Sequence, residues 1–237
     1  MTSPASETTR WFRNRYYFRL NQRRFEHLTQ LELPLRDRQV LEVGAGIGDH
    51  TTYFLDRGCR VTATEGRSDN LAYLAARFED HPEVTTALLD LDEPTALEGC
   101  PWEVGYCYGV LYHLMKPAEA LAFISPQITD MLLLETVCAL GEETAVNLVK
   151  EDTNRSSQSL RGTGCRTTRP WVMHELRKHF AHVYTTTTQP WHPEFADTWS
   201  AGPSEGLTLS RAVFVASRTP ILNTGLTEEL PMTQARC

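Results

Sequence analysis

The chain has 237 residues, of which 41% are hydrophobic and 22% charged, and its formal net charge is −7. A chain of this size and composition can bury the core of one or two domains without disulfides, which excludes fibrous and disordered classes. The acidic charge argues against a protein that coats nucleic acid. No apolar run is long enough to cross a bilayer, the first ten residues do not resemble a secretory signal, and the six cysteines lack metal-ligand spacing. We therefore expect a cytoplasmic protein with reduced thiols and no metal site.

The first predicted element is an amphipathic helix within residues 11–31, where aromatic and leucine side chains recur at helical spacing. Strands and helices then alternate as far as residue 136. Strands that alternate with short helices form a parallel sheet with helices on both faces. The predicted strands lie at 39–43, 60–64, 84–89, 103–108 and 131–136, and the helices between them lie at 49–57, 69–78 and 118–124.

The last third of the chain has a different composition. Residues 150–169 are polar and carry four arginines, so we expect an inserted cap over about 138–169 that lies above the site rather than in the core. Strands at 183–188 and 207–217, joined by a long loop over about 190–206, predict an antiparallel hairpin at the sheet edge.

The expected fold is therefore α/β, with a doubly wound, mostly parallel sheet of seven strands that ends in an antiparallel edge hairpin. We expect this sheet to form one domain at 37–218. A helical segment at 1–36 precedes the domain, and a peripheral tail at 219–237 follows it.

The strongest motif begins at Glu42, where a buried strand ends and runs into Gly44, Ala45, Gly46 and Gly48 before a helix starts. Glycines are needed where the backbone turns sharply and lets a ligand approach closely. Amide groups at the helix start then favour a carboxylate or phosphate. A nicotinamide dehydrogenase uses a similar loop, but its third glycine usually comes one residue later, so this alternative fits less well.

Two further acids follow the next two predicted strands. Glu65 ends the second strand, where an acid suits the two hydroxyls of a ribose. Asp90 ends the third strand, where a carboxylate can accept from an adenine amino group while the Leu91 amide donates to the ring. The loop and the two acids together indicate a site for an adenosine-containing cofactor.

With these features, the segment from Gln39 to Thr136 resembles the class I S-adenosylmethionine-dependent methyltransferases. The segment Tyr106–Leu114 after the fourth strand completes the resemblance. It implies methyl transfer from S-adenosylmethionine to an oxygen or nitrogen of a small molecule, with S-adenosylhomocysteine released and no metal cofactor. The cofactor-binding residues that it implies are Glu42, Gly44, Ala45, Gly46, Gly48, His50, Glu65, Gly66, Asp90, Leu91, Tyr108 and Gly109.

His113 is the candidate catalytic base. It follows the fourth strand at the carboxyl edge of the sheet, and an imidazole titrates near neutral pH. Packing beneath the cofactor is the alternative role for it. His192 is a second-choice base or a substrate contact, and Glu135, at the end of the fifth strand, either binds a substrate hydroxyl or is structural.

The acceptor is expected to bind between the N-terminal helix and the cap. N-terminal helices often cover the pocket in the resembled superfamily, which makes residues 1–36 a lid. Arginines of the cap with tryptophans opposite could hold a flat, anionic small molecule, whereas salt bridging to the surplus acids is the alternative. The predicted substrate-binding residues are Tyr16, Arg19, Glu135, Arg161, Arg166, Arg169, Trp191, His192 and Trp199.

Two other functions stay open. Residues 109–113 resemble a segment of tRNA wobble-uridine modification enzymes, which favours an RNA-modifying enzyme of the same fold, although the net charge makes nucleic acid an unexpected partner. A non-catalytic cofactor-binding scaffold is the other alternative. We expect a monomer or homodimer with a small-molecule acceptor and no membrane contact.

Overall fold

The structure is a computed structural model that describes residues 8–99, 101–200 and 207–237. The helices are α1 (Arg15–Gln30), α2 (Thr51–Leu55), α3 (Ser68–Arg77), α4 (Pro117–Ile124) and α5 (Arg169–Leu176). The strands are β1 (Gln39–Val43), β2 (Arg60–Glu65), β3 (Val84–Leu88), β4 (Trp102–Tyr108), β5 (Ile128–Ala139), β6 (Val146–Lys150), β7 (Thr163–Thr168), β8 (His182–Thr186), β9 (Thr188–Gln189), β10 (Leu209–Ser217), β11 (Leu226–Thr227) and β12 (Ala235–Arg236).

A single large sheet runs through the described part of the chain in the order β11-β8-β10-β5-β4-β1-β2-β3, and β7 and β6 extend from β5. Strands β1 to β5 pair in parallel. Strand β10 lies antiparallel between β5 and β8. The structure therefore confirms the predicted α/β class with a mostly parallel sheet and an antiparallel edge pair.

The central strands are buried on both faces, which explains why they read as apolar runs rather than as alternating patterns. Successive side chains of a strand point to opposite faces. In β1, Leu41 and Val43 belong to one hydrophobic cluster and Val40 to the other. In β5, Leu132 and Leu133 divide between the two clusters in the same way. Two cores thus sandwich the sheet and leave its carboxyl edge to the loops.

The predicted cap differs from the expectation of a polar excursion. Strands β6 and β7 pair antiparallel, and β7 also pairs in parallel with the end of β5, so both strands extend the sheet. Residues of β7 such as Cys165 and Thr167 are fully buried, because small and β-branched side chains fit a pleated, packed surface. Between β5 and β7, only the loops at 140–145 and 151–162 lie outside the strands.

The C-terminal tail is not peripheral, contrary to expectation. Strand β11 pairs with β8, and β12 pairs with β9. The side chain of Gln234 is buried and accepts a hydrogen bond from Trp199 Nε1 over 2.6 Å. The loop predicted at 190–206 is therefore held by the tail as far as the structure describes it, and its last six residues lie outside the described ranges.

Candidate functional site

The glycine loop between β1 and α2 has a backbone that other residues rarely adopt. Gly44, Gly46 and Gly48 have φ angles of 66°, 58° and 79°. A Cβ atom on Gly44 would lie 2.4 Å from Cγ2 of Val110. The loop amide of Gly46 donates to Glu65 over 2.9 Å. The loop is therefore fixed by its conformation, by close packing and by the acid at the end of β2.

A first cavity lies over the carboxyl ends of β1 to β4. Glu65 lines it, and burial raises the pKa of this carboxyl group. Asp90 lines the same cavity and accepts two hydrogen bonds from Arg161, at 3.0 and 2.6 Å. The other predicted cofactor residues on its wall are Gly44, Gly46, Gly66, Leu91 and Gly109.

A second cavity adjoins the first at the glycine loop. It is lined by Glu42, whose pKa burial raises to about 8, and by His50, whose pKa burial holds well below its usual range. Arg24 of α1 and Tyr108 also line it. Nε of Arg24 and the hydroxyl of Tyr108 are buried, and neither has a hydrogen-bond partner among the described residues. This cavity therefore offers unpaired donors beside an acid that is largely protonated at neutral pH.

A third cavity lies between α1 and the β5–β10 side of the sheet. Its wall includes the predicted residues Tyr16 and Arg166. It also includes Tyr112, Glu194 and Arg211, which sequence reasoning did not assign to the acceptor. Tyrosine rings and charged groups on one wall can hold a flat molecule that carries hydrogen-bonding groups.

The three cavities share walls. The first and second have Phe12 and Ser157 in common, besides three of the glycines. The second and third have Tyr17, Tyr112 and Ser157 in common. The three cavities thus lie side by side, from the acids after β2 and β3 to the tyrosine-lined cavity. We name the three residues shared by the second and third cavities, Tyr17, Tyr112 and Ser157, the junction.

A buried ion cluster ties α1 to the sheet at the junction. Glu135 is fully buried, and its two carboxylate oxygens accept from Arg24 over 2.5 Å and from Arg211 over 3.0 Å. Arg211 also donates to Glu194 over 2.5 Å, and Glu194 in turn accepts from the hydroxyl of Tyr16. Both oxygens of Glu135 are thus engaged by arginines, which agrees with the structural role left open for it.

His113 follows β4 and lines the first cavity, not the third. Its Nδ1 lies 2.5 Å from Oε2 of Glu151. Burial lowers the pKa of His113, while Glu151 opposes that shift. The imidazole is therefore neutral near pH 7, with Nδ1–H donating to the carboxylate and Nε2 carrying the lone pair.

Five further residues predicted to contact the acceptor are not among the lining residues of the third cavity. Arg169 stacks on Trp199 at 3.8 Å and donates to the carbonyl of Pro231, so both side chains anchor the tail. Trp191 is 62% exposed, and Arg19 is also exposed. Arg161 pairs with Asp90 at the first cavity. The charges and rings of these residues suggested a pocket, but Arg161, Arg169 and Trp199 have partners elsewhere, and Arg19 and Trp191 are exposed.

His192 supports the wall of the third cavity from behind. It is buried, and its ring packs edge-on against that of Tyr16. Its Nδ1 accepts from the amide of Glu194 over 3.3 Å. His192 thus positions two residues of the cavity wall.

Arg24, Arg211 and Glu194 are the site residues that sequence reasoning missed. Their partners lie far away along the chain, so no local spacing could reveal them. Only Tyr112 stood within a recognised motif.

The described residues contain neither a candidate metal site nor a candidate membrane span. No group of His, Cys, Asp or Glu side chains is placed to hold a metal ion. No helix has the length and apolar character needed to cross a bilayer.

No protein-family model matches the chain. Among curated proteins, a tRNA U34 carboxymethyltransferase of Vibrio vulnificus (strain YJ016) is 32% identical over 129 residues, which are 50% of this chain and 38% of that protein. One of Shewanella sediminis is 32% identical over 128 residues, again 50% of this chain and 37% of its own length. The chain thus spans well under half the length of these relatives.

Solved structures match far more of the chain. The N-terminal domain of EvdMO1, crystallised with S-adenosylhomocysteine and D-fucose, has a TM-score of 0.63 at 17% identity and covers 86% of this chain and 84% of its own. The Burkholderia thailandensis 1,6-didemethyltoxoflavin-N1-methyltransferase has a TM-score of 0.55 at 22% identity and covers 93% and 92%. The chain has the fold of the class I S-adenosylmethionine-dependent methyltransferases.

Proposed function

We propose that this chain, with its class I methyltransferase fold, transfers a methyl group from S-adenosylmethionine to an oxygen or nitrogen of a small molecule. The observation that carries the proposal is that three cavities lie side by side at this edge of the sheet. Two of them lie around the glycine loop and its acids, and the third shares Tyr17, Tyr112 and Ser157 with the second.

The residues of the first two cavities fit the cofactor. Glu65 is proposed to accept from the ribose hydroxyls, and Asp90 and Leu91 to contact the adenine, with Arg161 balancing the charge of Asp90. The unpaired Nε of Arg24 and the hydroxyl of Tyr108 suit the methionine carboxylate, and Glu42 suits its amino group. When bound, S-adenosylmethionine supplies a methyl carbon that its sulfonium activates.

The third cavity is proposed to bind the acceptor. The rings of Tyr16 and Tyr112 offer flat surfaces for stacking. Arg166 and Arg211 are paired with Glu151 and Glu194, so the charge of this wall is largely balanced. An anionic group on the acceptor would instead contact Arg155, which is half exposed on the same wall.

For a hydroxyl acceptor, a base must take up the proton. His113 is the first candidate base. Its Nε2 would accept the proton at the junction, from the side of the cofactor cavity. Glu194 is the second candidate, because it lines the acceptor cavity itself. Arg211 holds the pKa of Glu194 below its usual range, which makes it the weaker base but a good partner for a donating hydroxyl.

Calorimetry with S-adenosylmethionine, S-adenosylhomocysteine and NAD in parallel tests the proposal. Binding of the first two ligands and not of NAD is expected. Arg24→Lys keeps a positive charge beside Glu135 but removes the guanidinium group, whose Nε is proposed to bind the methionine carboxylate. It should therefore weaken the binding of S-adenosylhomocysteine about tenfold. Arg23→Lys is the matched control, because Arg23 pairs with Glu26 on the outer face of α1. Binding of NAD alone would contradict the proposal.

An RNA-modifying enzyme is the second candidate function, favoured by the sequence relatives named above. Arg15 and Arg19 are exposed on successive turns of α1, beside Phe18, which is 75% exposed. Arginine and an exposed ring could contact phosphate and base.

Fluorescence anisotropy with unfractionated tRNA at two salt concentrations separates the two functions. Salt-sensitive binding that Arg15→Gln and Arg19→Gln remove, and that the exposed Arg36→Gln does not, would support the RNA function. For a small-molecule enzyme we expect no specific binding.

A further inference from the structure

Residues 151–162, which we name the strap, cross the first cavity between β6 and β7. Ser156, Ser157, Gln158 and Leu160 of the strap line that cavity. Part of the proposed cofactor site is therefore built by a segment that is remote in sequence from the glycine loop.

The strap is fastened to the same elements that carry the cofactor acids. Arg67, two residues after Glu65, donates to the carbonyl of Ser159 over 2.8 Å. Asn70 bridges Glu65, at 3.3 Å, and the carbonyl of Ser156, at 3.0 Å. These contacts hold the side of the strap that faces α3.

A single carboxylate holds the opposite side. The side chain of Glu151 is 2% exposed. Its Oε2 accepts from the Ser159 amide over 2.8 Å and from His113 Nδ1 over 2.5 Å, and its Oε1 accepts from Arg166 over 3.0 Å. Glu151 thus joins the strap, the turn after β4 and strand β7. Burial alone would raise the pKa of this carboxyl group, but the hydrogen bonds from His113, the Ser159 amide and Arg166 hold it at about 2, so the group is ionised near neutral pH.

The backbone beside Glu151 leaves room for this arrangement. A Cβ atom on Gly164 would lie 2.4 Å from the carbonyl oxygen of Tyr112 and 2.7 Å from Oε1 of Glu151. The absence of a side chain at Gly164 therefore lets β7 approach the turn after β4 closely enough for Glu151 to reach His113.

We infer that Glu151 is a positioning residue for the cofactor: it holds the strap and His113 against the first cavity and so slows release of the bound nucleoside. This inference rests on the proposed function. Glu151 does not line the described cavities, so it acts through the strap and His113. The groups that face it are His113 after β4, Arg166 on β7 and the Ser159 amide of the strap.

The test is the release rate of radiolabelled S-adenosylhomocysteine, chased with excess unlabelled ligand. Glu151→Gln keeps the shape but weakens three charge-assisted bonds, so release should accelerate about tenfold. The association rate should change much less, because the acids of the cavity remain. Glu119→Gln is the matched control, since Glu119 lies outside the strap and the cavities, is exposed, and pairs with the exposed Lys116.

A second pair of variants keeps the test valid if Glu151→Gln folds poorly. Glu151→Asp retains the charge beside Arg166 but withdraws the carboxylate by one methylene, and Gly164→Ala pushes it away. Both should release the ligand faster than Glu119→Gln. Hydrogen exchange of residues 151–162 should rise in the same variants.

Two results would contradict the inference in distinguishable ways. Equal release from the unsubstituted protein and from folded Glu151 variants would overturn the role of Glu151 and leave the proposed function standing. Failure of the unsubstituted protein to bind S-adenosylhomocysteine would overturn the proposed function and this inference with it.

Discussion

The glycine loop and the buried ion cluster around Glu135 are built differently. At the glycine loop, the contacts are short in sequence: Gly46 and Glu65 are 19 residues apart, and Arg67 donates its amide to Glu65 two residues away. In the ion cluster, Arg24 and Glu135 are 111 residues apart, and Tyr16 and Glu194 are 178 apart. The first is built from turns at strand ends, and the second from contacts between distant elements.

This difference has consequences for stability and for binding. A buried charge that loses its partner is costly, because desolvation is no longer compensated. Removal of a charge from the ion cluster should therefore lower mainly stability. The glycine loop is held by its backbone geometry and by the carboxylate of Glu65, so substitutions there should lower mainly cofactor affinity.

The largest effect is expected at Glu135. Glu135→Gln leaves Arg24 and Arg211 buried without a full countercharge, which should lower the free energy of unfolding by about 3–5 kcal/mol. Denaturant unfolding measures this change. Glu103→Gln is the control, because its pair with Arg38 is partly exposed and should contribute less than about 1 kcal/mol. Equal losses of unfolding free energy in Glu135→Gln and Glu103→Gln would contradict the stabilising role of the buried ion cluster.

The next effect is expected at Gly44. Gly44→Ala forces a left-handed conformation on alanine and a contact with Val110, which together should cost about 3 kcal/mol of cofactor binding, roughly a hundredfold. Calorimetry with S-adenosylhomocysteine measures it. Gly99→Ala is the control, since Gly99 has a φ of 96° but its Cβ would lie no nearer than 3.7 Å to a neighbour. A similar loss of affinity in Gly44→Ala and Gly99→Ala would show that the loss does not come from the glycine loop.

The smallest effect is expected from pH. In the free protein, the pKa of Glu42 is raised to about 8, so the carboxyl group is protonated at pH 7. Contact with an ammonium group favours the carboxylate, so binding should release a proton and affinity should rise from pH 6 to pH 8 by at most about tenfold per unit.

Calorimetry in two buffers of different ionisation enthalpy counts the released protons. Glu42→Gln should abolish the buffer dependence. Proton uptake in the unsubstituted protein would contradict the assignment of Glu42 to the amino group.

The sequence was sufficient to predict what depends on local spacing. The glycine loop, Glu65 and Asp90 lie around the first cavity because each follows a parallel strand, and the carboxyl ends of such strands meet at one edge. The class of fold follows from the same alternation of strands and helices.

Ion pairs and strand pairs between residues far apart along the chain could not be predicted from the sequence. Arg24 and Arg211 resemble the other arginines of the chain until Glu135 is placed between them. Arg169 and Trp199 suggested a pocket, yet the tail covers them because β11 and β12 pair with β8 and β9. Strand β7 was interpreted as part of a cap, since Thr-rich strands resemble loops in composition.

The shared partner of Arg24 and Arg211 also sets an order of assembly during synthesis. Helix α1 is translated before the sheet, but its buried Arg24 has no countercharge until β5 has been made, and Glu135 gains its second arginine only after β10 has been made. Although α1 precedes the sheet in the chain, it is therefore expected to dock among the last elements. Until then, Leu20 and Leu28, which the finished protein buries completely or almost so, remain available to chaperones.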